Sequence, residues 1–237
     1  ERRRLQNYGE LKASALYNKP FRTFEKNTLL FSNQDVARAL KAIVRASQIK
    51  TKRAVFSIPD FSTFFTNFEL PPMPKAELAR AVEYEARKYI PVPFSEVTFD
   101  WQIIDRKFDP KSPSRILIVA VPKEIIAQYT EIAKLAGLEM VGLEAEVFGL
   151  VRSSFAKEQE AIAGLDIGAQ STTVSIIYRG ILRASHSLDV AGNSLTERLS
   201  QALSITYEEA QAQKARYGMS PATENIQILA PLVDVIL

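Results

Sequence analysis

The tract Leu165-Asp166-Ile167-Gly168-Ala169-Gln170-Ser171-Thr172-Thr173 constrains this chain more than any other. Ala161, Ile162 and Ala163 before it read as a short buried strand that ends on an acid. Val174 to Ile177 continue as a second strand, and Gly180 turns the chain into a third. A glycine at the tip lets the backbone approach a ligand closely, and Ser171 and Thr172 add small hydroxyls. Amides, hydroxyls and a carboxylate at one hairpin tip suit a magnesium-bound phosphate. The amides and hydroxyls take the anion, and the acid holds a water of the metal. These residues alone also allow an ordinary β-hairpin with a polar tip.

Composition narrows the remaining classes. A chain of 237 residues, 46% hydrophobic, is long enough for one large or two ordinary domains with real cores. Thirty basic against 27 acidic residues leave a net charge of +3, and no basic run is interleaved with aromatics, so nucleic acid is not an expected partner. The Arg2-Arg3-Arg4 cluster reads as a solvated terminus, with contact to anionic lipid or a partner as the alternative. The absence of cysteine excludes disulfides, thiol catalysis and zinc-thiolate sites. His186 is the only histidine and falls on a strand, where a satisfied or exposed position outweighs a catalytic one. No apolar run reaches the length of a membrane span, which leads us to expect a soluble, cytosolic protein.

Along the chain, Leu5 to Leu16 alternates loosely and reads as a strand. Ser32 or Asn33 caps a helix with Val36, Leu40, Ile43 and Val44 on its apolar face, and Ala54 to Ile58 follows as a buried strand. Phe64 to Leu70 is strand-like, and the stiff Pro71-Pro72-Met73-Pro74 turn opens a helix carrying Leu78, Val82, Ala86 and Tyr89 on one face. Ile90-Pro91-Val92-Pro93-Phe94 cannot lie inside a helix. Val97 to Ile104 and Arg115 to Val121 are strands, Pro122 to Ala136 a helix closed by Gly137, and Glu139 to Leu143 a strand. A helix is expected over Glu144 to Phe155. After the Asp166 hairpin, Gly192-Asn193 opens a helix with Leu195, Leu199 and Leu203, and Thr206 to Tyr217 forms another, ended by Gly218. Pro231 suits the first turn of a last helix over Ala230 to Leu237.

Two sets of residues resemble the actin-like ATPase superfamily and, within it, the PilM family of type IV pilus assembly proteins, relatives of FtsA. Asp166-Ile167-Gly168 with Ser171-Thr172-Thr173, Gly180, Val190 to Thr196 and Ala210 to Lys214 are similar to the second phosphate motif, the glycine loop behind it and the nucleotide-facing helix. The discriminating tract is Phe68-Glu69-Leu70-Pro71 followed by Tyr84-Glu85-Ala86-Arg87-Lys88-Tyr89-Ile90-Pro91-Val92-Pro93. The resemblance covers nearly the whole chain. It departs at the first Asp-x-Gly hairpin of the family, which does not precede Leu5, and at the late Gly-rich adenosine motif. The chain is therefore expected to be incomplete at both ends. Gln211 also stands where the family has a glutamate three residues before the lysine, here Lys214.

The resemblance implies an α/β protein of the actin-like ATPase (ribonuclease H-like) fold with an inserted FtsA/PilM-type αβ subdomain. Residues 1–60 would be part of the first lobe, 61–155 the inserted subdomain and 156–237 the start of the second lobe. It implies ATP and magnesium as ligands, held by Asp166 through water to the metal and by Gly168, Ser171, Thr172, Gly192, Gln211 and Lys214. It further implies a cytoplasmic scaffold, peripheral to the inner membrane through its partner, that takes the short N-terminal tail of a PilN-like protein in a groove between subdomains. Tyr89, Ile90 and Phe94 are the candidate partner contacts, against the alternative that this corner only packs its own subdomain. An FtsA-like filament-forming ATPase and the cytoplasmic domain of a GspL-like type II secretion protein are the competing readings. No catalytic residue is assigned.

Overall fold

In the computed structural model, the described residues are 4–11, 24–25, 28–29, 31–104 and 108–236. Residues 4–11 carry no regular structure, and the rest of the strand expected over Leu5 to Leu16 lies outside the described residues, as do Arg2 and Arg3. A two-residue pair, β1 (Phe24–Glu25) with β2 (Thr28–Leu29), precedes α1 (Asn33–Ala46). Ser32 caps α1, its Oγ accepting from the Asp35 amide at 3.1 Å.

β3 (Arg53–Ile58) does not pair with the strand that follows it. Its partner is β7 (Glu139–Ala145), in parallel, and α3 (Lys123–Ala136) packs on α1. Residues 123–145 therefore share a layer with residues 33–58, although the sequence reading groups them with the inserted segment. Parallel pairing needs a crossover, and the whole inserted subdomain is contained in that crossover.

The insert is an antiparallel sheet of β4 (Phe64–Leu70), β6 (Ser114–Pro122) and β5 (Val97–Ile103), in that order, covered on one face by α2 (Lys75–Ala86). Leu78, Val82 and Ala86 recur at four-residue spacing on α2 and bury against Phe68, Leu70, Ile116, Ile118 and Ala120. β6 is the central strand and serves two cores. Its side chains alternate, so Ile116, Ile118 and Ala120 face α2 while Leu117 points the other way.

Leu117 enters the core that joins the molecule. Ile58 from β3, Ile104 after β5, Ile125 from α3, Val147 from α4 (Glu146–Leu150), and Ile177 and Leu182 from the last sheet all meet it there. Each such side chain contributes roughly 1.5–3 kcal/mol by burial. The helix expected over Glu144 to Phe155 begins at Glu146 and widens to a π turn over Val151–Phe155.

The last sheet is the meander β8 (Ala161–Ile167), β9 (Thr172–Tyr178) and β10 (Ile181–Leu188), with β9 in the centre. It is followed by α5 (Gly192–Leu203), α6 (Tyr207–Tyr217) and α7 (Asn225–Ile236), which share Leu199, Ala210 and Leu229. α6 starts on a full capping box, Thr206 with Glu209. α7 starts earlier than expected and carries Pro231 in its interior. Burial of Leu229 against α5 and α6 favours helix already upstream of the proline.

Candidate functional site

The β8–β9 tip is tied to the start of α5 by backbone bonds. The Gly168 amide donates to the Ser171 carbonyl at 3.0 Å, the Gly192 amide to the Gly168 carbonyl at 3.0 Å, and the Asn193 amide to the Ala169 carbonyl at 2.7 Å. A β-carbon at Gly168 would lie 2.9 Å from the Ser171 carbonyl oxygen, closer than such contacts occur, so this turn requires glycine.

Behind the tip, α5 and α6 meet through side chains. Lys214 Nζ donates to the Gly192 carbonyl and to Thr196 Oγ1, both at 2.6 Å. Thr196 Oγ1 lies 2.7 Å from Gln211 Oε1 and 3.0 Å from the Gly192 carbonyl, and donates to one of them. Gly168, Gly192, Gln211 and Lys214 thus form one bonded network, although they lie up to 46 positions apart. Lys214 is half-buried, and desolvation pulls its ammonium below the ordinary lysine range. Both of these acceptors are neutral oxygens, so its charge remains available to an anion at the tip.

The two hydroxyls differ. Thr172 is fully buried and donates to the Val190 carbonyl at 2.6 Å, so its hydroxyl is engaged inside the protein. Ser171 is half-exposed at the tip, and Asp166 is exposed. His186 is exposed on β10.

Two acids that the sequence reading did not single out face Asp166. Asp60, just past β3, is buried and accepts from the Val147 amide at the start of α4 at 3.2 Å. Burial first, then the charges of Glu146 and Asp166, push its carboxyl up to about 7 against the pull of that amide. Glu146 is exposed at the start of α4, and desolvation by the surrounding protein and then Asp166 raise its carboxyl above the ordinary range. The available signal was positional: Asp60 and Glu146 both follow the ends of parallel neighbours β3 and β7. Among the described residues, no three acidic or histidine side chains come close enough to hold a metal ion by themselves. A magnesium ion would fit here through water on Asp166 and through the phosphates arriving with it.

A separate groove of 460 Å³ runs between the insert and the β3–β7 layer. One wall is five consecutive residues of the edge strand β5, Thr98 to Gln102; Leu117, Leu143 and Phe148 are among its apolar residues. The Trp101 amide donates to its neighbour's carboxylate, Asp100 Oδ1, at 2.8 Å. Arg152 clamps Glu144 at the rim with two bonds of 2.7 and 2.6 Å. Of the proline corner, Ile90 is buried in the insert core and Tyr89 stacks on Phe68 at 5.3 Å. Phe94 is one ring removed from the groove, packing at 5.0 Å on Phe99, which lines it.

The profile of the family described as "Type IV pilus assembly protein PilM" matches residues 13–237. The chain belongs to the PilM family. A solved structure titled "PilM-PilN type IV pilus biogenesis complex" superposes with a TM-score of 0.78 at 21% identity, over 90% of this chain and 63% of that one. The ethanolamine utilization protein EutJ of Carboxydothermus hydrogenoformans gives a TM-score of 0.51 at 15% identity, over 90% of this chain and 56% of that one. FtsA of Staphylococcus epidermidis is 27% identical over 103 residues, 43% of this chain and 22% of FtsA. The chain spans about a fifth of that curated relative's length. As a PilM-family member the chain has the actin-like ATPase fold. Among the described residues no helix is long and apolar enough to cross a membrane.

Proposed function

We propose that the protein is a cytoplasmic scaffold of the type IV pilus inner-membrane assembly, holding a short N-terminal tail of a PilN-like partner and using magnesium ATP as a conformational ligand. The observation that carries the partner half is the groove beside β5. An extended tail can add to a free strand edge through its main chain while apolar side chains enter the floor. The Trp101 amide, held by its own neighbour's side chain, is the donor such a tail would take over. The proposal puts the contacts on Phe99 and Trp101, with Phe94 behind them and Tyr89 and Ile90 supporting the corner.

The nucleotide half rests on the tip network and its charges. Lys214 and the tip groups would face phosphate, Gln211 the ribose, and Asp166 the metal's water. Glu146 and Asp60 add negative charge behind Asp166, which a divalent cation would relieve. When bound, magnesium supplies charge neutralisation at the phosphates. The sheet that carries the tip is bonded to the insert at the end of the β9–β10 hairpin away from the tip. Arg183 on β10 donates from its guanidinium to the carbonyl of Ile104, just after β5, and the Asn67 side chain donates through Nδ2 to the Arg183 carbonyl at 3.1 Å. A ligand that shifts the hairpin would therefore be felt at the groove, and the effect must be reciprocal.

The test is titration of the whole protein with a synthetic partner tail and with magnesium ATP. Trp101→Ala is expected to weaken the tail about tenfold or more and, because Trp101 also packs against the insert core, to lower stability as well. Asp166→Ala is expected to remove the magnesium-dependent part of ATP binding. Tail binding untouched by substitution at Phe99 and Trp101 would remove the groove assignment; ATP binding unchanged by Asp166→Ala would remove the other.

A further inference from the structure

The edge strand β5 turns its side chains and its backbone in different directions. Phe99, Trp101 and Ile103 pack toward the insert core. Successive side chains alternate, so Thr98, Asp100 and Gln102 point to the opposite face, which is the groove face. The register agrees: Thr98 stands opposite Val121, Asp100 opposite Val119 and Gln102 opposite Leu117, all three partners lining the groove. The Ile104 amide donates to the Arg115 carbonyl at 2.9 Å, which sets the hydrogen-bond phase along the strand. Bonded residues alternate in an antiparallel ladder, so the backbones of Gln102, Asp100 and Thr98 turn to β6. Those of Phe99 and Trp101 turn to the edge, where β5 pairs with no further strand among the described residues.

Asp100 links the groove face to that edge. Its carboxylate takes the Trp101 amide at 2.8 Å, the donor that an added strand needs. Asp100 is exposed, and among the described residues it has no cationic partner. Arg152, the cation among the lining residues, is held by Glu144 through both terminal nitrogens. A carboxylate placed this way keeps a free strand edge from pairing at random. A tail that adds to β5 replaces Asp100 Oδ1 on the Trp101 amide with a main-chain carbonyl. The displaced carboxylate is then covered by the tail, still charged and without its donor. Leaving it so costs binding, and a positive side chain on the same face of the tail restores a partner.

We propose that Asp100 is the specificity-determining residue of this groove, selecting tails that carry a lysine or arginine on the face turned to Leu117 and Val119. The inference rests on the tail reading above and adds the chemistry of the tail. A neutral tail displaces the carboxylate without compensation, and an acidic one brings a like charge beside it. Thr98 and Gln102, its neighbours on the same face of β5, are uncharged, so the preference falls on one tail position.

The experiment is fluorescence anisotropy of labelled peptides, about nine residues long, on the whole protein. They alternate Val and Thr with Val at each end, have blocked termini, and carry Lys, Gln or Glu in place of the central Val. That position shares a face with the valines that would enter the floor. The Lys peptide is expected to bind about fivefold more tightly than the Gln peptide and at least about tenfold more tightly than the Glu peptide, a preference that shrinks as salt rises. Asp100→Asn keeps an acceptor for the Trp101 amide and removes the charge. It is expected to bring the Lys and Gln peptides within about twofold of each other, with thermal unfolding unchanged. Asp100→Lys is expected to rank the Glu peptide first. Equal binding of the Lys and Gln peptides, a Lys preference that survives Asp100→Asn, or binding of none of the three would overturn the proposal. Strand addition is tested separately, with the Lys peptide N-methylated at either alternate set of its amides, and one of the two forms is expected to lose binding. If both forms bind like the parent while the Asp100 preference holds, strand addition to β5 falls and the charge selection stands. If one form loses binding and no Lys preference is seen, Asp100 falls alone and the groove reading stands.

Discussion

The tip around Asp166 and the groove beside β5 are built in opposite ways. The tip is a set of small residues, glycines and short hydrogen bonds at the surface of two neighbouring supersecondary units. The groove is a gap between two layers whose floor residues, such as Leu117, also belong to the central core. Substitution at the tip should therefore act on ligand binding, and substitution at the groove floor on folding. The proposed binding at the groove should be separable from stability only at its edge strand, where Asp100 and Gln102 are exposed while Trp101 packs against the insert core.

The sharpest way to break this contrast is Leu117→Ala. A buried leucine shared by the groove floor and the core is expected to cost about 2–5 kcal/mol, measured by urea unfolding. A loss well below that range would mean the floor is a loose surface and can be treated like the tip.

Asp60 tests the boundary between the regions, because it ends β3 and faces the tip acids. Its folded carboxyl titrates near 7, above its ordinary 3.8, so between those values the folded state binds more protons than the unfolded chain. Asp60 therefore favours folding most at low pH, and that contribution is lost as pH rises through about 7. The span corresponds to roughly 4 kcal/mol. Asp60→Asn can still accept from the Val147 amide, and should flatten the stability profile between pH 4 and 7 while raising stability above it. An unchanged profile would show that burial at this site does not govern the charge.

The smallest expected effect is at the tip. Gln211→Glu places a carboxylate beside Thr196 and Lys214, and should tighten nucleotide binding by about 1 kcal/mol, somewhat under tenfold, with little change in unfolding. No change, or a loss, in calorimetric affinity would show that α6 does not present this position to a ribose.

Much of the fold was legible because its signals are local. Four-residue spacing of Leu78, Val82 and Ala86, the Thr206–Glu209 capping box and the Gly137 stop each act within a turn or two of helix. The same holds for the tip: Asp166, Gly168, Gly192 and Lys214 come from one hairpin and two successive helices, so their motif survives in the linear order. Thr172 shows the limit, since its residue type suits a phosphate but its buried bond to Val190 was decided by packing.

What the sequence by itself determined was most of the helices and strands, the family, and the hairpin that carries Asp166 and Gly168. What only the tertiary structure decided was partnership across distance. β3 pairs with β7, with Arg53 opposite Glu139 and Ile58 opposite Ala145, which brings Asp60 and Glu146 to Asp166 and opens the groove along β5. The bulge at Arg183 likewise joins the hairpin to the insert. Such contacts are chosen by burial of apolar surface from many segments at once, and no stretch of sequence carries that sum.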